Sequence, residues 1–210
     1  MAAASTDVLS APPALPIVTG VAGILLAAGS SSRFGGFKLM HAIDGVPMVL
    51  KSALAMRAAL GAILVAVRPG SPCVPTLLAQ GFKVIECPRA PEGMGGTLAD
   101  VVAQLPQQTS GYVVALADMP FIAPASIHAV ARALQDGAAL AAPVYRGERG
   151  HPVGLAARYR DQLLALQGDA GARAIIQRDA ALMTWVDVDD AGVLRDIDTP
   201  ADLLARGNAV

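Results

Sequence analysis

The sequence predicts an α/β protein with three layers, in which a mostly parallel sheet is flanked by helices. Two observations support this fold class. Short apolar segments alternate with segments of helical length along most of the 210 residues. The apolar segments are also continuous, which is typical of strands that are covered on both faces.

The elements follow from this alternation in chain order. The segment 21–28 is the first apolar run, and Pro47 stands at the start of the first helical segment, where proline is favoured. The glycine-rich segment 146–154 is polar, and we expect a loop there. The predicted strands are 21–28, 62–67, 82–85, 112–117, 138–142 and 182–188, and the predicted helices are 47–60, 95–105, 126–134, 159–166, 170–178 and a last one from Pro200.

Composition and charge exclude several classes of protein. A hydrophobic content of 54% rules out disorder of the whole chain, and a net charge of −1 argues against binding to nucleic acid. The longest apolar stretch, 17–28, is too short to span a membrane as a helix, and no basic segment of a secretory signal precedes it. Cys73 and Cys87 lack the spacing of a metal or disulfide motif. We therefore expect a cytoplasmic domain over 19–210, with no membrane partner, after a flexible tail at 1–18.

A loop rich in glycine and serine follows the first predicted strand. Residues 29–38 include three glycines, three serines and the two cations Arg33 and Lys38. Backbone N–H groups of small residues can approach an anion closely, and the two cations supply the counter-charge. Lys38 is followed by Leu39, so this is not a Walker A motif, and the dinucleotide fingerprint is also absent. We interpret the loop as a phosphate-binding loop; a connecting loop with incidental charges is the alternative.

A single carboxylate follows the central strand. Asp118 comes directly after the apolar run 112–117, and open α/β sheets bind their ligands beyond the carboxyl ends of the strands. A carboxylate held at the end of a rigid strand suits Mg²⁺, which prefers oxygen ligands. Asp118 is therefore a candidate metal ligand, and a helix N-cap is the alternative role.

Six motifs occur in order over residues 21 to 205 and together resemble the MobA-like nucleotidyltransferases. The resemblance implies the Rossmann-like fold of the nucleotide-diphospho-sugar transferases. Within the family, the chain is most similar to the branch of the molybdenum cofactor cytidylyltransferases. The motifs are LAAGSSSRFGGFK at 26–38, EGMGGTL at 92–98, LADMP at 116–120, RGHPV at 149–153, GDAGAR at 168–173 and DIDTPADL at 196–203.

The resemblance implies a magnesium-dependent enzyme that transfers a nucleoside monophosphate to a phosphorylated acceptor and releases pyrophosphate. In this family Leu-Ala-Ala-Gly in the first loop accompanies cytosine, so Ala28 favours CTP. The acceptor implied is a phosphorylated pterin, molybdopterin or the molybdenum cofactor, with hand-over of the product to a molybdoenzyme or its chaperone. The alternatives are transfer to another small molecule, such as a sugar phosphate, and a non-catalytic nucleotide-binding partner in molybdoenzyme maturation.

The resemblance also assigns roles to residues of this chain. Lys38 is expected at the α- or β-phosphate and Arg33 at the β/γ end. Roles in loop stability for His151, and in helix capping for Asp169 and Asp198, are the alternatives, as is a glycine-rich helix entry for 92–98. The implied catalytic residues are Arg33, Lys38 and Asp118; the nucleotide-binding residues Leu26, Ala27, Ala28, Gly29, Ser30, Ser31, Ser32, Gly93, Met94, Gly95 and Thr97; the acceptor-binding residues Arg149, His151, Gly168 and Asp169; and the metal ligands Asp118 and Asp198.

Overall fold

The computed structural model describes residues 18–29, 37–199 and 201–202. The predicted tail at 1–18 lies outside this part of the chain except for Val18, whose side chain is packed in the core with 3% exposed. The packed domain therefore includes Val18, one residue more than predicted. The helix predicted from Pro200 is described only at 201–202.

Ten strands and six helices follow one another along the described residues. The strands are β1 (Val21–Leu26), β2 (Ala42–Ile43), β3 (Val46–Pro47), β4 (Ile63–Val67), β5 (Lys83–Glu86), β6 (Gly111–Leu116), β7 (Leu140–Tyr145), β8 (Glu148–Arg149), β9 (Val153–Ala156) and β10 (Met183–Asp187). The helices are α1 (Met48–Leu60), α2 (Cys73–Ala79), α3 (Met94–Ala103), α4 (Pro124–Gln135), α5 (Arg160–Leu164) and α6 (Arg173–Arg178). None of the helices in the described segments has the length and apolar character needed to cross a membrane.

Eight strands form the central sheet, in the order β10-β7-β9-β6-β1-β4-β5, with β8 paired to β7. The pairs β6–β1, β1–β4, β4–β5 and β7–β10 are parallel, and β9 runs antiparallel to both β6 and β7. The prediction of a mostly parallel sheet is confirmed. The carboxyl ends of β1, β4, β5 and β6 consequently meet at one edge of the sheet.

Helices cover both faces of the sheet, which explains why its strands are continuously apolar. Leu25 and Val65 pack in a core with residues of α1, α2 and α4. Their neighbours Ile24 and Leu64 pack in a second core with residues of α3, α5 and α6. Successive side chains of a strand point to opposite faces of the sheet. Because helices cover both faces, the side chains on each face must be apolar. The predicted three-layer architecture is confirmed.

The prediction of a loop over 146–154 is wrong in part, because β8 and the start of β9 lie within it. β9 was missed because it is short and contains Gly154, a residue that weakens strand patterns. At this glycine a Cβ would lie 3.0 to 3.1 Å from side-chain atoms of Val130 and Leu134, so the missing side chain lets α4 pack closely. Since Val153 pairs with Val114, the residues before β9 lie at the carboxyl end of β6.

Three further elements were not predicted, namely the strands β2 and β3 and the helix α2. β2 and β3 form a hairpin around Asp44 and Gly45, which have φ values of 52° and 77°. Positive φ at both central positions is the geometry of a tight two-residue hairpin turn, for which Asp-Gly is a favoured sequence. Helix α2 packs against β5, which is the edge strand of the sheet on the side opposite to β10.

Asp190 fastens the last described segment to helix α4. Its Oδ2 accepts hydrogen bonds from the backbone N–H of Ala123 at 2.8 Å and from Ser126 Oγ at 2.7 Å, at the start of α4. Its Oδ1 accepts from the N–H of Gly192 at 2.9 Å. One carboxylate thus joins the amino end of a helix to the segment that continues to residues 196–199.

Replacing Asp190 with alanine should lower the free energy of unfolding by about 2 kcal/mol, because a helix cap and a bond to a second segment are lost together. Urea denaturation of the wild type and Asp190→Ala measures this difference. Asp189→Ala is the matched control, since it removes the neighbouring, exposed carboxylate. Equal effects of the two substitutions would show that Asp190 does not fasten the segment.

Candidate active site

The ammonium group of Lys38 lies between two carboxylates from distant parts of the chain. Its Nζ donates to Asp118 Oδ2 at 2.9 Å and to Asp198 Oδ1 at 3.0 Å. Asp118 lies 80 residues from Lys38 in sequence, and Asp198 lies 160 residues away. Lys38 is buried, with 6% of the residue exposed, whereas both carboxylates are partly open to solvent. The structure therefore brings together three residues that were predicted to act on one substrate.

Backbone and side-chain bonds hold the two carboxylates in place. Asp118 follows β6, and its carbonyl oxygen accepts a hydrogen bond from the N–H of Ile197 at 2.9 Å, which sets Asp198 beside it. Asp202 Oδ2 accepts from the N–H of Asp198 at 2.9 Å and from the N–H of Thr199 at 2.6 Å. The sequence argument did not identify Asp202, although an aspartate three residues after Thr199 can accept such bonds.

The charges of the cluster favour a bound cation. Burial lowers the pKa of Lys38, but hydrogen bonds and charge interactions with Asp118 and Asp198 outweigh burial, so the pKa is raised and the ammonium stays charged. Two carboxylates thus surround one ammonium group among the described residues. In addition, the buried Asp118 Oδ1 has no hydrogen-bond partner among the described residues.

The donor set fits a hard divalent cation that is shared with a ligand. The described residues contain no group of three or more His, Cys, Asp or Glu side chains that could hold a metal ion by themselves. Mg²⁺ is ordinarily bound by one or two carboxylates together with waters and substrate phosphates. The predicted ligands Asp118 and Asp198, with the unpartnered oxygen of Asp118, match that arrangement.

His151 lies beside this cluster because β9 runs antiparallel to β6. Its backbone N–H donates to the Val193 carbonyl at 2.8 Å, and its Nδ1 is buried with no hydrogen-bond partner in the described part of the chain. Burial lowers the pKa of His151, and Arg149 lowers it further, whereas Asp118 and Asp196 raise it less. The imidazole is therefore neutral near pH 7.

The start of the first loop is part of the sheet. The Leu26 carbonyl accepts from the N–H of Ala117 at 3.0 Å, and the Ala27 N–H donates to the Ala66 carbonyl at 2.8 Å. These backbone groups of Leu26 and Ala27 thus extend the strand pairing and are not available to a ligand. Gly29 is exposed beyond them. The predicted site residues Ser30, Ser31, Ser32 and Arg33 lie outside the described residues.

Arg68 is a site residue that the sequence argument missed. It follows β4 directly, and its Nε and Nη2 both donate to the carbonyl oxygen of Ala28, at 3.1 and 2.7 Å. The rule that identified Asp118, a polar residue immediately after an apolar run, would also have identified Arg68. The structure thus adds a guanidinium group to the base of the first loop.

The second loop is held by close backbone contacts. Gly93 has φ +113°, and a Cβ there would overlap Asp169 Oδ1 and the backbone of Gly168. The N–H of Gly95 donates to the Gly168 carbonyl at 2.8 Å. Thr97 is buried, and its hydroxyl donates to the Gly93 carbonyl at 3.1 Å. The Thr97 side chain thus closes the first turn of α3.

The four residues predicted to bind the acceptor are distributed over two parts of the site. Gly168 and Asp169 contact the second loop at Gly93, whereas Arg149 is exposed on β8 and acts electrostatically on His151. Met94, in the second loop, remains 43% exposed. The segment around residue 168 therefore supports the loop predicted to bind nucleotide, and His151 is the predicted acceptor residue that lies beside Asp118.

Comparison with known proteins agrees with this arrangement. A curated relative, "Molybdenum cofactor guanylyltransferase" from Cupriavidus metallidurans, is 28% identical over 192 residues, which cover 87% of this chain and 92% of the relative. The crystal structure of Rv0371c from Mycobacterium tuberculosis H37Rv has a TM-score of 0.76 at 22% identity and covers 88% of this chain and 95% of its own; a second structure of that protein is a complex with manganese, with a TM-score of 0.72 at 20% identity and coverage of 90% and 99%.

A third solved structure is that of a synthetase in complex with a nucleotide. A CMP:2-keto-3-deoxy-manno-octonic acid synthetase in complex with CTP has a TM-score of 0.70 at 17% identity and covers 88% of this chain and 95% of its own. At such identities the likeness shows a shared fold, which confirms the predicted nucleotide-diphospho-sugar transferase fold.

Fold and site together define an α/β enzyme that transfers nucleotidyl groups. More specifically, the chain belongs to the family described as the MobA-like NTP transferase domain, whose model matches residues 23–182. The family prediction is confirmed.

Substitution of Gly93 by alanine should disturb the second loop, because the new methyl group would overlap Asp169 and Gly168. We expect the free energy of unfolding to fall by about 2 kcal/mol more than for Gly137→Ala. Gly137 is the matched control, since its φ is +100° but no atom lies within 4 Å of its ideal Cβ. Thermal or urea denaturation measures both variants. Equal losses would mean that the contact with residues 168–169 does not constrain Gly93.

The low pKa of His151 predicts a pH dependence of stability. Between its usual value of 6.5 and the lowered folded value, the unfolded chain binds a proton that the folded chain does not. The free energy of unfolding should therefore fall as the pH drops from 7.5 to 5, by at most about 1.4 kcal/mol per pH unit from this group.

His151→Gln should make this decrease smaller than it is in the wild type. Urea denaturation at pH 7.5 and pH 5 provides the four values needed. An unchanged decrease in His151→Gln would show that another group is responsible.

Proposed function

We propose that this enzyme transfers CMP from CTP to a phosphorylated pterin of the molybdenum cofactor type and releases pyrophosphate. The observation that carries the proposal is the meeting of Lys38, Asp118 and Asp198 at the edge of the sheet where β6 ends. A phosphate oxygen of the acceptor attacks the α-phosphorus of CTP, the bond from that phosphorus to the β-phosphate oxygen breaks, and pyrophosphate leaves. No amino-acid nucleophile is required.

The residues of the cluster have positioning and electrostatic roles in this proposal. Lys38 holds the two carboxylates by hydrogen bonds and keeps a positive charge beside the proposed triphosphate site. Such preorganised charges stabilise the negative charge that develops during transfer without further rearrangement. This modifies the sequence prediction, which assigned Lys38 to the phosphates alone.

Asp118 and Asp198 are the residues that we propose to hold Mg²⁺. Their oxygens are hard donors, and Asp118 Oδ1, which accepts no hydrogen bond from the described part of the chain, offers a further lone pair to a cation. A bound Mg²⁺ supplies neutralisation of charge on the triphosphate and the leaving pyrophosphate. The manganese complex of Rv0371c, a protein of the same fold, is consistent with a divalent cation in such a protein.

The proposed choice of nucleobase and the proposed choice of acceptor rest on different observations. Ala28 in the first loop favours CTP, whereas the relative from Cupriavidus metallidurans is named as a guanylyltransferase. The name of that relative supports the molybdenum cofactor as the acceptor. His151 is neutral, and its Nδ1, which has no hydrogen-bond partner in the described segments, offers the acceptor a hydrogen bond next to Asp118. A molybdoenzyme or its chaperone would then receive the product.

Pyrophosphate release with each of the four nucleoside triphosphates, with and without molybdopterin and with Mg²⁺, tests the proposal. We expect release with CTP that depends on both molybdopterin and Mg²⁺. If pyrophosphate is released with GTP and with no other nucleotide, the enzyme transfers GMP and the proposal of CMP transfer is wrong. If pyrophosphate is released with a sugar phosphate but not with molybdopterin, the proposed acceptor is wrong. Absence of release with every nucleotide would overturn the enzymatic proposal.

In the same assay, Lys38→Met should lower kcat/KM by about 100-fold or more, because the ammonium that organises both carboxylates is lost. Lys51→Met is the matched control, since Lys51 pairs with Asp44 at 3.0 Å in an exposed position on the hairpin side of α1. We expect the control to retain the activity of the wild type. Equal activity of both variants would remove Lys38 from the site.

A further inference from the structure

We propose that the ammonium group of Lys38 opposes the binding of a divalent cation to Asp118 and Asp198 until a triphosphate is bound. This inference rests on the proposed function, because it concerns how that same site is regulated. The observation behind it is the position of Lys38 Nζ, which lies 2.9 Å from Asp118 Oδ2 and 3.0 Å from Asp198 Oδ1. One oxygen of each carboxylate is thus already bound to a positive charge.

The ammonium group occupies the position that a shared cation needs. Any ion bound by these two oxygens together must lie close to both, and Lys38 Nζ already does so. The Lys38 side chain is 8% exposed, whereas the side chains of Asp118 and Asp198 are 28% and 37% exposed. The carboxylates are therefore open to an ion from solvent, and the ammonium group is covered by protein.

The backbone around Lys38 keeps the ammonium group at this position. Lys38 begins a turn of 3-10 helix, Lys38–Met40, and its carbonyl oxygen accepts a hydrogen bond from the N–H of His41 at 3.0 Å. The next side chain, Leu39, is buried and packs in the core with residues of α1. Withdrawal of Lys38 into solvent would require this packed turn to open.

Lys38 opposes a divalent cation through its charge and through the oxygens that it occupies. Two positive charges a few ångströms apart repel each other, and the repulsion is stronger where solvent is partly excluded. Asp118 Oδ2 and Asp198 Oδ1 also use lone pairs to accept hydrogen bonds from the ammonium group. Asp118 Oδ1 has no hydrogen-bond partner among the described residues. A single carboxylate oxygen beside a fixed positive charge is a weak site for Mg²⁺.

A triphosphate reverses this balance. Its oxygens carry negative charge, so they can bind the ammonium group and a divalent cation at the same time. The positive charge of Lys38 then stabilises the triphosphate, and its repulsion of the cation is offset. Because linkage is reciprocal, a cation that binds more tightly with the triphosphate also makes the triphosphate bind more tightly. We therefore expect the cation and the nucleotide to bind cooperatively.

This role and a purely positioning role of Lys38 predict opposite effects when its charge is removed. If Lys38 only holds the carboxylates in place, its loss disorders them and weakens cation binding. If Lys38 competes with the cation, its loss strengthens cation binding in the absence of nucleotide. The direction of the change in Kd therefore decides between the two roles.

Titration of the full chain with Mn²⁺ in the absence of nucleotide tests this inference, with free Mn²⁺ measured by electron paramagnetic resonance. Lys38→Met, which keeps an apolar stem but removes the charge, should lower the Kd for Mn²⁺ by about tenfold relative to the wild type. Lys38→Arg, which keeps the charge, should leave the Kd close to that of the wild type. An unchanged or higher Kd in Lys38→Met overturns the inference, as does a Kd that is equally low in Lys38→Arg.

Two control variants assign the effect to this site. Lys51→Met removes the ammonium group that pairs with Asp44 at 3.0 Å, and it should leave the Kd for Mn²⁺ unchanged. An equal decrease in Lys51→Met would reveal a general effect of protein charge, and the inference would be wrong. Lys38→Met combined with Asp118→Asn should lose the tighter binding of Lys38→Met. If the double variant keeps the tighter binding, the ion binds elsewhere and the inference is also wrong.

The wild type provides a second test that does not depend on the folding of Lys38→Met. In equilibrium dialysis, the chain should bind more Mn²⁺ when CTP or GTP is present than when both are absent. If a nucleotide binds and the amount of bound Mn²⁺ stays the same, the inference is overturned. If neither nucleotide binds, the proposed function fails and this inference fails with it.

Pyrophosphate release separates this inference from the proposed function. Release by the wild type supports nucleotidyl transfer whichever way the Mn²⁺ titrations fall. A failure of Lys38→Met to bind Mn²⁺ more tightly therefore removes the regulatory role of Lys38 and leaves the proposed transfer reaction in place.

Discussion

The ion pairs of Lys38 with Asp118 and Asp198 are the interaction on which the rest of the site depends. They join the end of the first loop, the end of the central strand and the last described segment of the chain. A buried ammonium group is costly unless it is paired, and breaking such a pair on one side leaves an uncompensated charge. This constraint requires both carboxylates to stay at the sheet edge, and it explains why Asp202 and the bond between Ile197 and Asp118 reinforce their positions.

The antiparallel strand β9 completes the site in a way that a wholly parallel sheet would not. Because β9 runs against β6, the chain enters it at the edge where β6 ends, and His151 reaches the neighbourhood of Asp118. Every other strand next to β6 or β1 enters from the opposite edge. One reversed strand therefore supplies a buried imidazole to a site otherwise built from loops that follow parallel strands, and the low pKa of His151 follows from that burial.

Much of the fold could be predicted because its signals are local. The runs that form β1, β4 and β6 are continuously apolar, and the covered sheet faces require this of the sequence. The β2–β3 hairpin was equally local, since Asp44-Gly45 is a strong turn signal, and it was overlooked. By contrast, β9 could not be recognised, because four residues including Gly154 become a strand only through their pairing with β6 and β7.

The sequence by itself determined the alternation of strands and helices, the family motifs and the residue types at the strand ends, because each depends on neighbouring residues. Only the tertiary structure decided which of these residues meet. It placed Asp198 beside Asp118, on the two sides of the Lys38 ammonium group, and it set the Arg68 guanidinium group on the Ala28 carbonyl. The physical reason is that hydrogen bonds and ion pairs between residues 40 to 160 positions apart depend on strand order and direction, which no local pattern encodes.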